Sequence, residues 1–219
     1  MKIVCLSDTH NKHKKIEVPD GDILLHSGDF TARGNEREVR DFNRWMATLP
    51  HKHKIVISGN HDWFFEKMPR SYVDSVCTNF TYLQDEFVEV EGLKIYGSPW
   101  QPWFYNWAFN LQRGKEILAK WKKIPEDVDI LLTHGPAFEI LDSSPGVCGN
   151  VGCEDLLDEI KNRIKPKIHL CGHIHGGHGV ERHGETVFVN ASICTERYEP
   201  HQLPIVIDIK EDGEVVFNK

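Results

Sequence analysis

The chain has 219 residues, with 33 acidic and 26 basic side chains and a formal net charge of −7. That balance excludes a long nucleic-acid footprint, which requires a stripe of Lys and Arg, and no apolar run approaches the roughly 20 residues of a membrane-spanning helix. The length suits a single domain, residues 1–219, with room for a large core.

The first apolar run, "IVCL", gives way at once to "SDTH". It is too short for a secretory signal, so a cytoplasmic location is expected. Cysteines 5, 77, 148, 153, 171 and 194 form no paired framework, which fits reduced thiols. Cys148 and Cys153 lack the C-x-x-C spacing of a zinc site, and none is expected there.

In chain order, "KIVCLSD" is an apolar run ending at Asp8, and "DILLHSGD" another ending at Asp29. Residues 37–49 carry Val39, Phe42, Met46 and Leu49 on one helical face. "KIVISGN" then runs to Asn60, and "FVEVEGLKIYG" predicts a hairpin turning near Gly92. A second helical face covers 113–124 (Ile117, Leu118, Trp121, Ile124), followed by "DILLTHG" to His134. A third covers 154–164 (Leu156, Leu157, Ile160, Ile164), followed by "KIHLCGHIH", which reaches His173 and His175. "VERHGETVFVN" predicts a hairpin near Gly184, and "LPIVIDIKEDGEVVFN" a final strand, turn and strand. Apolar runs of this length read as buried strands. Alternation with helices predicts an α/β fold, and the hairpins predict two mixed sheets packed face to face with helices outside.

Ligands of α/β sheets bind beyond the carboxyl ends of strands. Five of these runs end in Asp, Asn or His: Asp8-Thr9-His10, Gly28-Asp29, Gly59-Asn60-His61-Asp62, His134-Gly135 and Gly172-His173-Ile174-His175. Each alone is commonplace; together they point to one centre. In an extended segment, residues two apart point the same way. Asp8 with His10, and His173 with His175, are therefore expected to face that centre together. Glycines 28, 59, 135 and 172 allow close backbone approach. Carboxylate, imidazole and amide oxygen without thiolate suit divalent Mn, Fe, Co, Ni or Zn. Asp8, His10, Asp29, Asn60, His134, His173 and His175 exceed the needs of one ion. Two ions are implied, about 3.5–4 Å apart and sharing a carboxylate.

The order D-x-H, G-D, G-N-H-D, H, G-H-x-H resembles that of the calcineurin-like metallophosphoesterases. "YGSPWQPWFYNWAFN", "NVGCEDLL" and "FVNASICT" are similar to the small metallophosphoesterase-domain proteins related to brain phosphodiesterases. The resemblance implies a four-layer αββα sandwich. It also implies one metal on Asp8, His10, Asp29 and His175, and a second on Asn60, His134, His173 and the bridging Asp29. His61 would lie beside the leaving group, with manganese the favoured metal and a metal-bridging hydroxide as nucleophile. His178 matches no ligand position and is expected at the rim or surface.

One departure stands out. The superfamily's phosphatases often read G-D-x-x-D-R-G, whose second Asp pairs with the catalytic His. Here "GDFTARG" puts Ala32 in that place. Arg33 is kept and could bind phosphate, and Asp62 is the remaining candidate to orient His61.

The loop "SPWQPWFYNWAFN" holds Trp100, Trp103, Phe104, Trp107 and Phe109. Some of these rings would form a small core. Others could form a wall for a nucleobase, with Trp103 and Phe104, after Pro102, the first candidates and Asn190 a polar helper. The expected function is a metal-dependent phosphodiesterase acting on cyclic nucleotides or similar small phosphodiesters. The alternatives are a nuclease or protein phosphatase on the same fold, or a weakly catalytic nucleotide-binding scaffold.

Overall fold

Short apolar runs, each too brief for a helix and bounded by polar turns, pair into two six-stranded sheets, beside one two-stranded pair. A computed structural model describes residues 1–144 and 149–217; Cys148 lies outside them. In chain order the strands are β1 (Lys2–Leu6), β2 (Ile23–His26), β3 (His53–Val56), β4 (Thr81–Tyr82), β5 (Glu86–Val90), β6 (Leu93–Ser98), β7 (Gln101–Pro102) and β8 (Asn110–Leu111). Then come β9 (Ile130–Thr133), β10 (Ile168–Cys171), β11 (Gly179–His183), β12 (Thr186–Asn190), β13 (Ile205–Ile209) and β14 (Val215–Phe217). The helices are α1 (Glu36–Thr48), α2 (Trp63–Lys67), α3 (Arg70–Val76), α4 (Lys115–Trp121) and α5 (Glu154–Glu159).

The first sheet has the order β14-β13-β1-β2-β3-β4, the second β11-β12-β10-β9-β6-β5. In the first, β1 to β4 are parallel, and β13 pairs antiparallel with both β1 and β14. In the second, β12, β10, β9 and β6 are parallel, and the two edge strands are antiparallel. The hairpins expected near Gly92 and Gly184 are the β5–β6 and β11–β12 pairs.

Alternation along each strand divides the apolar side chains between two faces. Ile3, Leu25 and Ile55 of the first sheet meet Ile95, Leu132 and Leu170 of the second in a central core. On the outer face of the first sheet, Leu24 and Val56 pack against Val39, Phe42 and Met46 of α1. On the outer face of the second, Tyr96 and Leu131 pack against Ile117 and Trp121 of α4 and Leu156 of α5. The result is the four-layer αββα sandwich. Helix α1 is started by a capping box in which Asn35 accepts from the Glu38 N–H and the Glu38 side chain reaches back.

The third predicted helix differs in its last turn. Residues Ile160–Ile164 follow α5 as a widened π turn, closed by the bond from Lys165 N–H to the Ile160 carbonyl at 3.0 Å. Lys165 adopts φ 48°, the left-handed conformation that commonly ends a helix, and Pro166, which cannot continue one, follows. No described helix is long and apolar enough to cross a membrane.

The strand ends are level. Leu6 pairs with His26 and His26 with Val56 in the first sheet, and Cys171 pairs with Asn190 in the second. The chain leaving β12 crosses over to the end of β1: the Ile193 N–H donates to the Ser7 carbonyl at 2.9 Å. Loops from both sheets therefore open onto one floor.

Candidate metal centre

Every residue predicted as a ligand lies on this floor. Asp8, His10 and His175 bring donor atoms within 4.8 Å of one another, as do Asp29, His134 and His173. Asp29 lies between the groups: its Oδ2 is 3.3 Å from His134 Nε2 and 3.9 Å from His10 Nε2. Asn60 Oδ1 lies 3.0 Å from His134 Nε2.

The route to this geometry differs from the extended-strand expectation. Asp8, His10, Asp29 and His173 have φ of 52°, 40°, 54° and 64°, and His175 begins a short 3-10 turn. Left-handed backbone costs roughly 1–2 kcal/mol per non-glycine residue, and such strain gathers at functional sites. The pairs Asp8/His10 and His173/His175 face the centre because tight turns aim them. Close approach is also enforced: a β-carbon at Gly59 would collide with the Asp29 carboxylate, and one at Gly172 with that of Asp8.

The donor chemistry calls for cations. His134 Nδ1 donates to the Ser27 carbonyl at 2.9 Å, and His175 Nδ1 to the Thr195 carbonyl at 2.9 Å. In the neutral rings this leaves the Nε2 lone pairs facing inward. His134 Nε2 then confronts only acceptors, Asn60 Oδ1 and Asp29 Oδ2. His175 Nε2 faces Asp8 Oδ1 at 3.3 Å, and that buried oxygen receives no hydrogen bond among the described residues. Asp8 Oδ2, by contrast, is held by the Ser192 hydroxyl at 2.8 Å and the His173 N–H at 2.9 Å. Acceptors facing acceptors in a buried space need a positive charge between them. These residues fit two divalent ions.

The electrostatics agree. Burial opposes ionisation of Asp8, but the rings of His175, His134 and His10 outweigh it and hold its carboxyl well below the usual range. Burial likewise opposes charging of His134, yet Asp29, Asp8 and the Ser27 carbonyl raise it to about 9. A proton on His134 occupies the place a metal would take, and binding would displace it.

His61 sits at the edge of both groups, its Nε2 4.0 Å from Asp29 Oδ2. Its Nδ1 donates to the backbone carbonyl of Ala32 at 2.8 Å. A main-chain oxygen thus takes up the ring at the position where the phosphatases carry a carboxylate. The indole of Trp107 lies over the imidazole, with centroids 4.3 Å apart and planes at 30°.

Three expectations are corrected. Asp62 does not orient His61. Its buried carboxylate accepts from the N–H groups of Asp29 (2.8 Å), Gly59 (2.8 Å) and Thr31 (3.0 Å) and from the Thr31 hydroxyl (2.6 Å). It ties two ligand loops together. Asn190 is buried too deeply to meet a base: its amide nitrogen donates to the carbonyls of Ile174 (2.9 Å) and Leu141 (3.1 Å), and its oxygen accepts from Ser192. Arg33 is exposed and lies outside the pocket lining; among the described residues only its backbone N–H is engaged, by Glu38.

The aromatic loop is divided. Phe109 is fully buried and Trp100 packs against it, forming the small core. Trp107 and Phe104 line a pocket of about 300 Å³ over the donor groups, with Phe104 5.3 Å from the His173 ring. Trp103 lines an adjoining cleft of about 470 Å³ instead. Sequence reasoning missed Tyr198, whose ring stands 4.9 Å from His10 and 5.3 Å from His175. No spacing signal marks it. His178 is outside the groups, bonded to the Leu203 carbonyl at 3.0 Å.

Asp62→Asn tests the corrected role. An amide can accept on one side only, leaving buried N–H groups facing its NH2. The expected cost is about 1–3 kcal/mol, or a fall of roughly 3–10 °C in Tm, together with reduced metal content. Thermal unfolding and elemental analysis check this. Unchanged stability together with kinetics like those of a His61 variant would restore the orienting role.

Two mixed sheets with outer helices and buried Asp/His groups at one end define a metallophosphoesterase, a class of phosphoester hydrolase. The chain belongs to the calcineurin-like phosphoesterase family, whose model matches residues 1–177. It is 47% identical over 230 residues to Metallophosphoesterase domain-containing protein 1 of Homo sapiens, spanning 95% of this chain and 71% of that protein. It is 42% identical over 232 residues to UPF0046 protein C25E10.12 of Caenorhabditis elegans, spanning 95% and 81%. The crystal structure of TT1561 of Thermus thermophilus matches with a TM-score of 0.60 at 15% identity, over 99% of this chain and 97% of that one. Another crystal structure matches with a TM-score of 0.70 at 17% identity, over 100% and 98%. Both likenesses show the fold.

Proposed function

We propose that the chain is a phosphodiesterase that uses two divalent metal ions, manganese favoured, to hydrolyse small phosphodiesters, nucleotides and cyclic nucleotides among them. The observation that carries this reading is the pair of donor groups meeting at Asp29, with the inward Asp8 Oδ1 buried and without a hydrogen bond among the described residues. Asp8, His10, Asp29 and His175 would hold one ion; Asp29, Asn60, His134 and His173 would hold the other. Bound ions supply Lewis acidity at the phosphoryl oxygens and acidify a water enough for it to attack near neutral pH.

The remaining work falls to the chain. His61 protonates the departing oxygen through Nε2, with its ring held by the Ala32 carbonyl and backed by Trp107. Phe104, exposed at the join of the pocket and the cleft, offers a face to a planar group attached to the phosphate. Trp103, Pro136 and Val151 line the space beyond it.

The test is hydrolysis of bis-p-nitrophenyl phosphate by protein stripped with chelator and reloaded with Mn²⁺, with metal counted per chain. Two ions per chain and metal-dependent turnover are expected; neither turnover nor bound metal would leave only the scaffold reading. Phe104→Ala is expected to weaken AMP inhibition by roughly 5- to 150-fold, the worth of one stacked base. AMP inhibition equal to that of the parent would remove nucleotides from the reading.

A further inference from the structure

The pocket over the metal groups has an unusual charge inventory. Besides Asp29 and the histidines, its lining includes Ser144, Tyr198 and Glu196, but no Lys or Arg among the described residues. Glu196 makes no ion pair among the described residues. Its side chain is exposed at the pocket rim, and the backbone that carries it is fixed. The Thr195 carbonyl, one residue before it, accepts from His175 Nδ1 at 2.9 Å. Bonds from Tyr198 N–H to the Thr195 carbonyl (2.7 Å) and from Thr195 N–H to the Glu199 carbonyl (2.8 Å) close the turn that carries it. The nearby cations lie outside the lining: the Lys12 ammonium binds the Tyr198 carbonyl, and Arg197 is exposed.

We propose that Glu196 is a specificity-determining residue that makes this centre select singly charged phosphodiesters over doubly charged phosphomonoesters. The inference rests on the phosphoesterase reading above. At neutral pH a diester carries one negative charge and a monoester close to two, because its second pKa is near 6. A phosphatase pocket commonly meets the second charge with Arg or Lys. Here no such side chain lines the pocket among the described residues, Arg33 lies outside it, and Glu196 adds a repulsive charge. A single carboxylate at a pocket rim acts weakly on one charge and about twice as strongly on two. Hydrolysis turns diester into monoester, so the same carboxylate also favours departure of the product.

The test compares Glu196→Gln and Glu196→Lys with the parent, all loaded with Mn²⁺. The ratio of kcat/KM for bis-p-nitrophenyl phosphate to that for p-nitrophenyl phosphate is expected to fall roughly 3- to 10-fold in the Gln variant and further in the Lys variant. Calorimetric binding of phenylphosphonate, a dianion in mildly alkaline buffer, should tighten by a similar factor, with a smaller change for its singly charged methyl ester. Glu199→Gln makes the same charge change outside the pocket lining and should move neither quantity. An unchanged ratio and unchanged phosphonate affinity in both Glu196 variants of an active enzyme would overturn the role of Glu196 alone. A parent that binds metal but hydrolyses neither ester would overturn the phosphoesterase reading, and this inference with it.

Discussion

Asp29→Asn is expected to lower bound metal from two ions per chain to below one and activity by roughly 10³-fold or more. The Asp29 carboxylate reaches side-chain donors of both groups, with His134 at 3.3 Å and His10 at 3.9 Å. The amide keeps an oxygen to accept the His61 N–H, now bonded to Asp29 Oδ1 at 2.7 Å, so the loop should hold its shape. What goes is the charge. The second consequence concerns protons. In the parent, Asp29 helps raise His134 to about 9, so metal must displace a proton there and affinity falls as pH is lowered below that value. In the Asn variant His134 loses a main source of that shift, and proton release on metal addition should shrink. Elemental analysis and proton release in weak buffer check both. By contrast, His173→Gly should deplete only the group formed with Asp29 and His134. If Asp29→Asn kept two ions and parental activity, Asp29 would not be the shared ligand.

His61→Ala should keep both ions and the fold yet lose about 10²–10⁴ in rate on esters with poor leaving groups, the usual worth of a general acid. The loss should shrink for nitrophenyl esters, whose departing oxygen needs little protonation. The ring is free to act because Nδ1 is committed to the Ala32 carbonyl, leaving Nε2 toward the pocket. A neutral carbonyl fixes the ring without adding a negative charge, so an acid role for His61 would not require the usual carboxylate. Equal losses on good and poor leaving groups would assign His61 to binding rather than proton transfer.

These two variants probe residues that were legible in the sequence. Asp62 and Arg33 show where legibility stopped. Both belong to patterns that suggest catalysis. Yet Asp62 is consumed by the backbone of Asp29 and Thr31, more than 30 residues earlier in the chain, and Arg33 is exposed and outside the pocket lining. A pattern records which residue types are near in sequence, not which donors will surround them. Asn190 fails for the same reason: three carbonyls from 141, 172 and 174 claim its amide.

By itself the sequence determined the longer strands, as apolar runs of strand length bounded by turn residues, and hence the two main sheets; the two-residue strands β4, β7 and β8 and the helices α2 and α3 carried no such signal. It also singled out the candidate ligands, because each lies within a few residues of a strand end and those ends open on the same edge. Only the tertiary structure decided how those ligands are aimed, through left-handed turns at Asp8, His10, Asp29 and His173. It alone decided what surrounds them: Trp107 on His61, Tyr198 over His10, the Ala32 carbonyl in place of a carboxylate, and Glu196 at the rim. The physical reason is range. Strand burial and ligand position follow from neighbours along the chain, whereas the rim is built by contacts between loops brought together by the closing of two sheets, such as that between His175 and Thr195.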